Sequence, residues 1–224
     1  MKVKKYPQSH LVITNDLGKK IIIDPGYLTF DPSTHSGKSG QAGSGFKVED
    51  FQGADCYLIT HQHADHLDPE TIKEVIQNKP VYGNIDVTDK LKECGVSGIE
   101  VKDQQEFNVE GFMIKAIDLP HFEKPNTQMP PNTGFLIDGV FFHPGDGWRI
   151  EGVKSEKAAV PISGPPDGEI GFEQALTLAK SLGAKAVIPI HYDKYPADPN
   201  EFSKLAQKEG IKVISLNIGE EVDI

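Results

Sequence analysis

The hydrophobic positions of this chain follow two periods, one typical of short strands and one typical of helices. In the first fifth of the chain, predicted strands span residues 1–5, 10–14 and 20–24. Ile21-Ile22-Ile23 is apolar at every position, so we expect the third of these strands to be central and covered on both faces. Residues 25–45 are rich in Gly, Ser, Thr and Pro, which predicts a loop, and we expect this loop to cover a functional site.

Strands and helices alternate through the rest of the chain. Predicted strands span residues 56–60, 80–82, 99–102, 105–109, 112–117, 133–138, 140–143, 158–162, 186–190 and 213–216. Predicted helices begin at Asp68, Asp86, Phe172 and Asp198, and Leu205 is expected on the buried face of the last one. This order indicates an α/β fold, and with 224 residues and no break in composition we expect a single domain over residues 1–224.

Composition and charge restrict the class of partner. The formal net charge is −10 and Arg149 is the only arginine, which argues against nucleic acid and favours a small-molecule substrate. No apolar run approaches the roughly 20 residues that cross a membrane, and the amino end lacks a signal segment, so we expect a cytoplasmic protein without a membrane partner. Cys56 and Cys94 are then expected to be free thiols.

The densest set of potential metal-binding side chains lies directly after the predicted strand 56–60. Three histidines and a carboxylate fall within six residues there, at His61, His63, Asp65 and His66. Neutral imidazole nitrogen and carboxylate oxygen are the ligands that zinc-like ions prefer. His61 and His63 are two apart in extended backbone and can address one ion, whereas Asp65 and His66 are free to address a second.

Three further polar residues, His121, Asp146 and His191, also stand at predicted strand ends. The order H-x-H-x-D-H, then His, then Gly-Asp, then His resembles that of the metallo-β-lactamase-fold hydrolases along almost the whole chain. Within that superfamily the chain is similar to the compact branch that includes the ascorbate-phosphate lactonases. The matching segments are Lys20-Ile21-Ile22-Ile23-Asp24-Pro25, Asn132-Thr133-Gly134-Phe135-Leu136-Ile137, His143-Pro144-Gly145-Asp146 and Pro189-Ile190-His191-Tyr192.

The resemblance implies a four-layer αββα sandwich with two divalent metal ions at one edge, zinc foremost and manganese or iron as alternatives. The implied ligands are His61, His63 and His121 for the first ion, Asp65, His66 and His191 for the second, and Asp146 as the bridge. The chain departs from the family pattern at Gln8-Ser9-His10, which leaves the role of His10 open, and at Asp193-Lys194. His35, in the predicted covering loop, receives no role.

The chemistry of such a site predicts a hydrolase that cleaves an ester, lactone or phosphoester bond in a small anionic substrate. Asp65 is the candidate general base, and His143 and Tyr192 are candidates for contact with the substrate or the ligands. Arg149 and Lys194 each follow a predicted ligand by three residues and are candidates for holding the substrate's negative charge.

Two other functions stay open at this point. A di-iron redox protein of the same fold usually has Glu where this chain has His63. A metal-loaded binding or sensor protein without turnover is the other alternative. The sequence leaves homo-oligomerisation open as well.

Overall fold

The structure is a computed structural model that describes residues 1–26 and 52–224. Within these residues the strands form two sheets. The first sheet contains β1 (Lys2–Lys5), β2 (Leu11–Thr14), β3 (Lys20–Ile23), β4 (Cys56–Leu58), β5 (Val81–Gly83), β6 (Ile99–Glu100) and β14 (Glu221–Asp223). The second contains β7 (Glu106–Val109), β8 (Phe112–Asp118), β9 (Thr133–Ile137), β10 (Phe141–His143), β11 (Lys157–Pro161), β12 (Ala186–Ile190) and β13 (Lys212–Val213). The helices are α1 (Pro69–Val75), α2 (Ile85–Glu93), α3 (Phe172–Leu182) and α4 (Pro199–Lys208).

The two sheets have the same pattern of strand directions. The strand order is β14-β1-β2-β3-β4-β5-β6 in the first sheet and β7-β8-β9-β10-β11-β12-β13 in the second. In each order the first three pairings are antiparallel and the last three are parallel. The two halves of the chain are therefore alike in topology, as the order of predicted elements suggests.

Alternation along the central strands separates the layers. Ile21 and Ile23 lie in the core between the sheets, together with residues of the second sheet such as Phe112 and Phe141. Ile22 points to the opposite face and packs in a cluster that includes Ile72 of α1 and residues of α2. A third cluster joins the outer face of the second sheet to α3 and α4. Because side chains alternate between the faces of a strand, these three clusters are the interfaces of a four-layer αββα sandwich, and the predicted fold is confirmed.

The structure corrects some local predictions. β14 was not expected: its segment is short and polar, and it pairs antiparallel with β1. The strand expected at residues 213–216 is instead Lys212–Val213, and Leu205 is 37% exposed, because Phe202 and Ala206 form the buried face of α4. Cys56 and Cys94 are free, as predicted.

Residues 27–51 lie outside the described part of the chain. Most of the predicted covering loop and His35 fall there, so those predictions stay as they were. Among the described helices, each is too short or too polar to span a lipid bilayer.

Candidate metal centre

The predicted ligands meet where the two sheets present the carboxyl ends of their strands. The turn after β4 carries His61, His63, Asp65 and His66. On the second sheet, His121 follows β8, Asp146 follows β10 and His191 follows β12. These three strands run in one direction, because β8 and β10 are both antiparallel to β9, and β12 is parallel to β11 and β10.

Seven side chains form two neighbouring groups, each able to hold a metal ion. One group is His61, His63, His121 and Asp146, and the other is Asp65, His66 and His191. Within each group the potential ligand atoms lie within 4.8 Å of one another. The structure thus brings together every residue predicted from the sequence as a metal ligand, in the predicted grouping.

Asp146 lies between the two groups and contacts both. Its Oδ2 is 3.5 Å from His121 Nε2 and 3.2 Å from His191 Nε2, and its Oδ1 is 3.2 Å from His66 Nε2. His66 Nε2 and Asp146 Oδ1 are buried and, among the described residues, neither has a partner with hydrogen-bond geometry. Buried polar atoms normally have hydrogen-bond partners. Because these two atoms face each other and can each offer a lone pair, the pair fits a site that binds a cation.

The other ring nitrogen of each of three histidines is held by an oxygen of the surrounding protein. His66 Nδ1 is 2.7 Å from Asp24 Oδ2, His121 Nδ1 is 2.9 Å from the carbonyl of Phe122, and His191 Nδ1 is 2.6 Å from the carbonyl of Ser163. Such contacts fix the tautomer and leave Nε2 as the lone-pair donor, which is the usual arrangement around metal-binding histidines.

Asp24 contacts a member of the second group and was not singled out as a site residue from the sequence. It is fully buried at the end of β3, where its carboxylate also accepts hydrogen bonds from the backbone and hydroxyl of Thr60, both at 2.8 Å. Asp24 therefore ties the start of the histidine turn to His66. A signal did exist in the sequence, since Asp24 follows a doubly covered central strand, but a single Asp after a strand is common.

The histidines of the first group favour the neutral form. Burial lowers the pKa of His61 well below its ordinary value, and nearby histidines lower it further. Burial and His121 lower the pKa of His63 to about 4. Burial also lowers the pKa of His121, although Asp146 opposes this. These side chains are then ready to donate lone pairs at neutral pH.

In the second group the charged forms of the side chains are favoured. Burial opposes the charged form, but the carboxylates of Asp146 and Asp24 raise the pKa of His66 well above its ordinary value. Asp146 and Asp65 likewise raise the pKa of His191 to about 10 against the effect of burial. In turn, His191 and His66 hold the pKa of Asp65 far below its ordinary range, although burial opposes this.

The turn that carries Asp146 depends on a glycine. Gly145 has a φ of +60°, and a Cβ there would lie 2.3 Å from Asn132 Oδ1 and 2.7 Å from the Thr60 side chain. The Asn132 side chain uses the same oxygen to accept a hydrogen bond from the Asp146 backbone at 3.2 Å. A larger residue at position 145 would therefore move the carboxylate that joins the two groups.

A cavity of about 320 Å³ opens beside the two groups. The predicted substrate contact Lys194 lines it, together with Lys124 and Tyr195, which the sequence did not single out. Tyr192 does not line it: its ring lies under Lys5 Nζ at 4.6 Å and borders a separate cavity.

Arg149 is also absent from this lining. It is half-exposed and pairs with Glu123 and Glu169 at 3.1 and 3.0 Å. These two glutamates, which are far from each other in sequence, engage the guanidinium, so the predicted substrate contact of Arg149 is not supported.

His143 and His10 lie behind the ligands. His143 is fully buried, with Nε2 2.8 Å from the carbonyl of Ser9 and Nδ1 accepting a hydrogen bond from Gly145 at 3.2 Å. Both ring nitrogens therefore contact backbone, and His143 is suited to holding the turn of Asp146 rather than to touching a substrate. His10 is buried, stacks on Tyr6 at 4.8 Å and belongs to neither ligand group.

Comparison with known proteins gives a consistent result. A family model described as Beta-lactamase superfamily domain matches residues 2–191. A metal-dependent hydrolase from Pyrococcus abyssi is 28% identical over 92% of both chains. The structure of Igni18, a metallo hydrolase from Ignicoccus hospitalis, aligns with a TM-score of 0.75 at 25% identity, over 99% of this chain and 97% of that one. An isothiocyanate hydrolase from Delia radicum gut bacteria aligns with a TM-score of 0.78 at 20% identity, over 100% and 99%, which shows a shared fold.

Proposed function

Because this chain belongs to the β-lactamase superfamily, we propose that it is a metal-dependent hydrolase, the activity for which its relative from Pyrococcus abyssi is named. One observation carries the proposal. Seven imidazole and carboxylate side chains converge in two adjacent groups, and Asp146 contacts both. Ligand sets of this type suit divalent transition metals.

The cofactor we propose is a pair of divalent ions, with zinc favoured and manganese or iron as alternatives. His61, His63 and His121 would hold one ion, Asp65, His66 and His191 the other, and Asp146 would join them. When bound, such ions supply an activated water and polarise the oxygen of the bond that is cleaved.

Asp65 is the proposed general base. Its carboxylate is largely buried, it lines the cavity, and it stays ionised because His191 and His66 stabilise its negative charge. Its carboxylate would accept a proton from the attacking water. Its Oδ2 lies 3.7 Å from His191 Nε2. His143 would keep the turn of Asp146 in place from behind.

The proposed substrate is a small anionic molecule with an ester, lactone or phosphoester bond. A cavity of about 320 Å³ is in the size range of metabolite sites, and two lysines, Lys124 and Lys194, are among its lining residues. The Lys124 ammonium also pairs with Asp167 at 3.2 Å. The net charge of −10 disfavours long polyanions such as RNA. We therefore propose a small-molecule hydrolase of the cytoplasm, without nucleic-acid or membrane partners.

Elemental analysis and a substrate panel test this function. Protein purified without chelator should contain about two divalent ions per chain, and chelation should abolish hydrolysis until metal is restored. The panel should contain matched anionic and neutral esters, lactones and phosphodiesters, with long single-stranded RNA as the polymer. Only trace metal after reconstitution, or salt-sensitive RNA cleavage without activity on small substrates, would contradict the proposal.

A further inference from the structure

Gln8 is a buried residue that contacts both Asp65 and the backbone of His191 in the second ligand group. It is 1% exposed and lies in the connection between β1 and β2. This connection contacts the residue that follows β12. Its side-chain Nε2 donates to Asp65 Oδ2 at 3.3 Å. Its main-chain carbonyl accepts a hydrogen bond from the backbone of His191 at 3.1 Å. Gln8 therefore contacts the side chain of one member of this group and the backbone of another.

The orientation of the Gln8 amide is determined by its surroundings. Its Oε1 accepts hydrogen bonds from the backbone N–H groups of Asp193 at 3.1 Å and Lys194 at 2.9 Å. Rotating the amide by half a turn would set its NH₂ against these two donors and its oxygen against the Asp65 carboxylate. The donor is thus directed at Asp65, and the segment that carries the cavity-lining Lys194 is held by the same side chain.

A buried ion pair holds Gln8 itself. The Asp193 carboxylate accepts a hydrogen bond from the Gln8 backbone at 2.6 Å, and the same Oδ2 pairs with Lys5 Nζ at 3.3 Å. Lys5 is 1% exposed. Gln8 has a φ of +58°, a conformation that costs energy for residues other than glycine and persists where neighbours fix it. The backbone at position 8 is therefore held to this geometry from both sides.

We propose that Gln8 is a positioning residue for the second ligand group, setting the distance between Asp65 and His191 and hence the metal affinity of that group. This inference rests on the proposed function, since it takes Asp65, His66 and His191 to be metal ligands. The first group has no such dependence, because Gln8 makes none of these contacts with His61, His63 or His121.

Gln8→Glu is a sharp test because it keeps the size of the side chain while replacing the donor that faces Asp65 with an oxygen of a carboxyl group. The glutamate keeps an oxygen for the two backbone N–H groups and places its other oxygen against Asp65. Zinc titration of metal-free protein, followed by calorimetry, should show two binding steps in the wild type. In Gln8→Glu we expect one step to weaken by about 10- to 100-fold, the usual effect of losing a partner behind a ligand, and the other to stay unchanged.

Two companion variants make the result decisive. Gln8→Met removes the donor and the amide oxygen without adding charge, and it should weaken the same step. It also serves if Gln8→Glu does not fold, as judged by circular dichroism. Ser9→Ala is the matched control, because Ser9 is fully buried beside Gln8 and its hydroxyl has no hydrogen-bond partner among the described residues. It should bind zinc as the wild type does.

The outcomes separate this inference from the proposed function. Unchanged binding steps in folded Gln8 variants, or equal weakening of both steps, would overturn the positioning role while leaving a metal-binding wild type intact. A wild-type protein that takes up no zinc would overturn the proposed function and the inference together.

Discussion

The two ligand groups share Asp146 but differ in the charge that surrounds their histidines. In the first group, histidines crowd one another in a buried space, so the pKa values of His61, His63 and His121 are lowered. In the second group, His66 lies between Asp24 and Asp146, and His191 lies between Asp65 and Asp146, so both pKa values are raised. The same residue type is thus prepared as a neutral donor in one group and as a cation in the other.

This difference has a consequence for metal binding. The first group can accept an ion at neutral pH without losing protons. The second group is a network of opposite charges when metal-free, and an ion there must take the place of the protons on His66 and His191. The carboxylates that keep His66 and His191 protonated would also attract a divalent cation.

Removing the residue shared by both groups should have the largest effect. Asp146→Ala deletes the carboxylate that lies 3.2 Å from both His66 Nε2 and His191 Nε2, and neither group keeps its full ligand set. We expect both zinc-binding steps to weaken and hydrolysis to fall by more than about 100-fold. This is a larger effect than the roughly 10- to 100-fold that is usual when a residue that only supports a metal ligand is lost. Metal analysis and turnover measure this. Unchanged turnover would exclude Asp146 from the centre.

A control for this variant is Arg149→Ala, which removes a charge only three residues away. Its pairs with Glu123 and Glu169 are exposed, and such pairs contribute about 0–1 kcal/mol to stability. Metal content and thermal unfolding should therefore stay close to those of the wild type. A loss of metal in both variants would point to a general disturbance of this loop.

Proton release should distinguish the two groups directly. The pKa of His191 is about 10 and that of His66 is also raised, so both are protonated at pH 7 and binding there must release their protons. The pKa of His63 is about 4, so that histidine is already neutral. We expect one zinc step to strengthen from pH 6 to pH 8, by about tenfold per pH unit for each proton released, and the other to change little.

Calorimetry in buffers of different ionisation enthalpy counts the protons released in each step. About two protons should accompany the pH-dependent step and about none the other. Two steps with equal proton release would remove the contrast drawn between the groups.

The members of the two groups were predictable from the sequence because each belongs to a pattern. His61 and His63 are two apart after an apolar strand, and His121, Asp146 and His191 each end a predicted strand. Parallel strands bring such positions to one edge of a sheet. The layered fold was expected from the resemblance to the metallo-β-lactamase-fold hydrolases. The apolar run Ile21-Ile22-Ile23 agrees with it, because it predicts a central strand covered on both faces.

The residues that support the ligands were not predictable in the same way. Asp24 contacts His66, which is 42 positions away in sequence, and Gln8 donates to Asp65, which is 57 positions away. Tyr192 was singled out from the sequence and Tyr195 was not, because the turn after β12 decides which of them faces the cavity. Arg149 looked available near Asp146, but its glutamate partners come from two other loops.

Replacing Lys194, which lines the cavity beside the second group, should have a smaller effect, and this effect should fall on KM. Lys194→Ala removes an ammonium from the cavity lining, and a hydrogen bond to a charged group contributes about 1.5–3 kcal/mol. We expect KM for an anionic ester to rise about tenfold or more, with little change for a neutral ester of the same size. Lys124→Ala should act in the same direction but by a smaller factor, because the Lys124 ammonium also pairs with Asp167 at 3.2 Å. Arg149→Ala should leave both KM values unaltered. Equal effects on anionic and neutral substrates would contradict a role in charge recognition.

The smallest effects should come from the two tyrosines that follow His191. Tyr195 lines the cavity, with its ring 6.5 Å from that of His191 and 5.4 Å from Lys194 Nζ, so Tyr195→Ala should change KM for substrates that fill the cavity. Tyr192 is buried on the other side under Lys5, and burial raises the pKa of its phenol, which therefore stays protonated across the neutral range. Tyr192→Phe keeps the ring and should leave kcat and its pH profile unaltered. A displaced pH profile in Tyr192→Phe, with Tyr195→Ala unaffected, would return the catalytic role to Tyr192 and require a different path for the chain after β12.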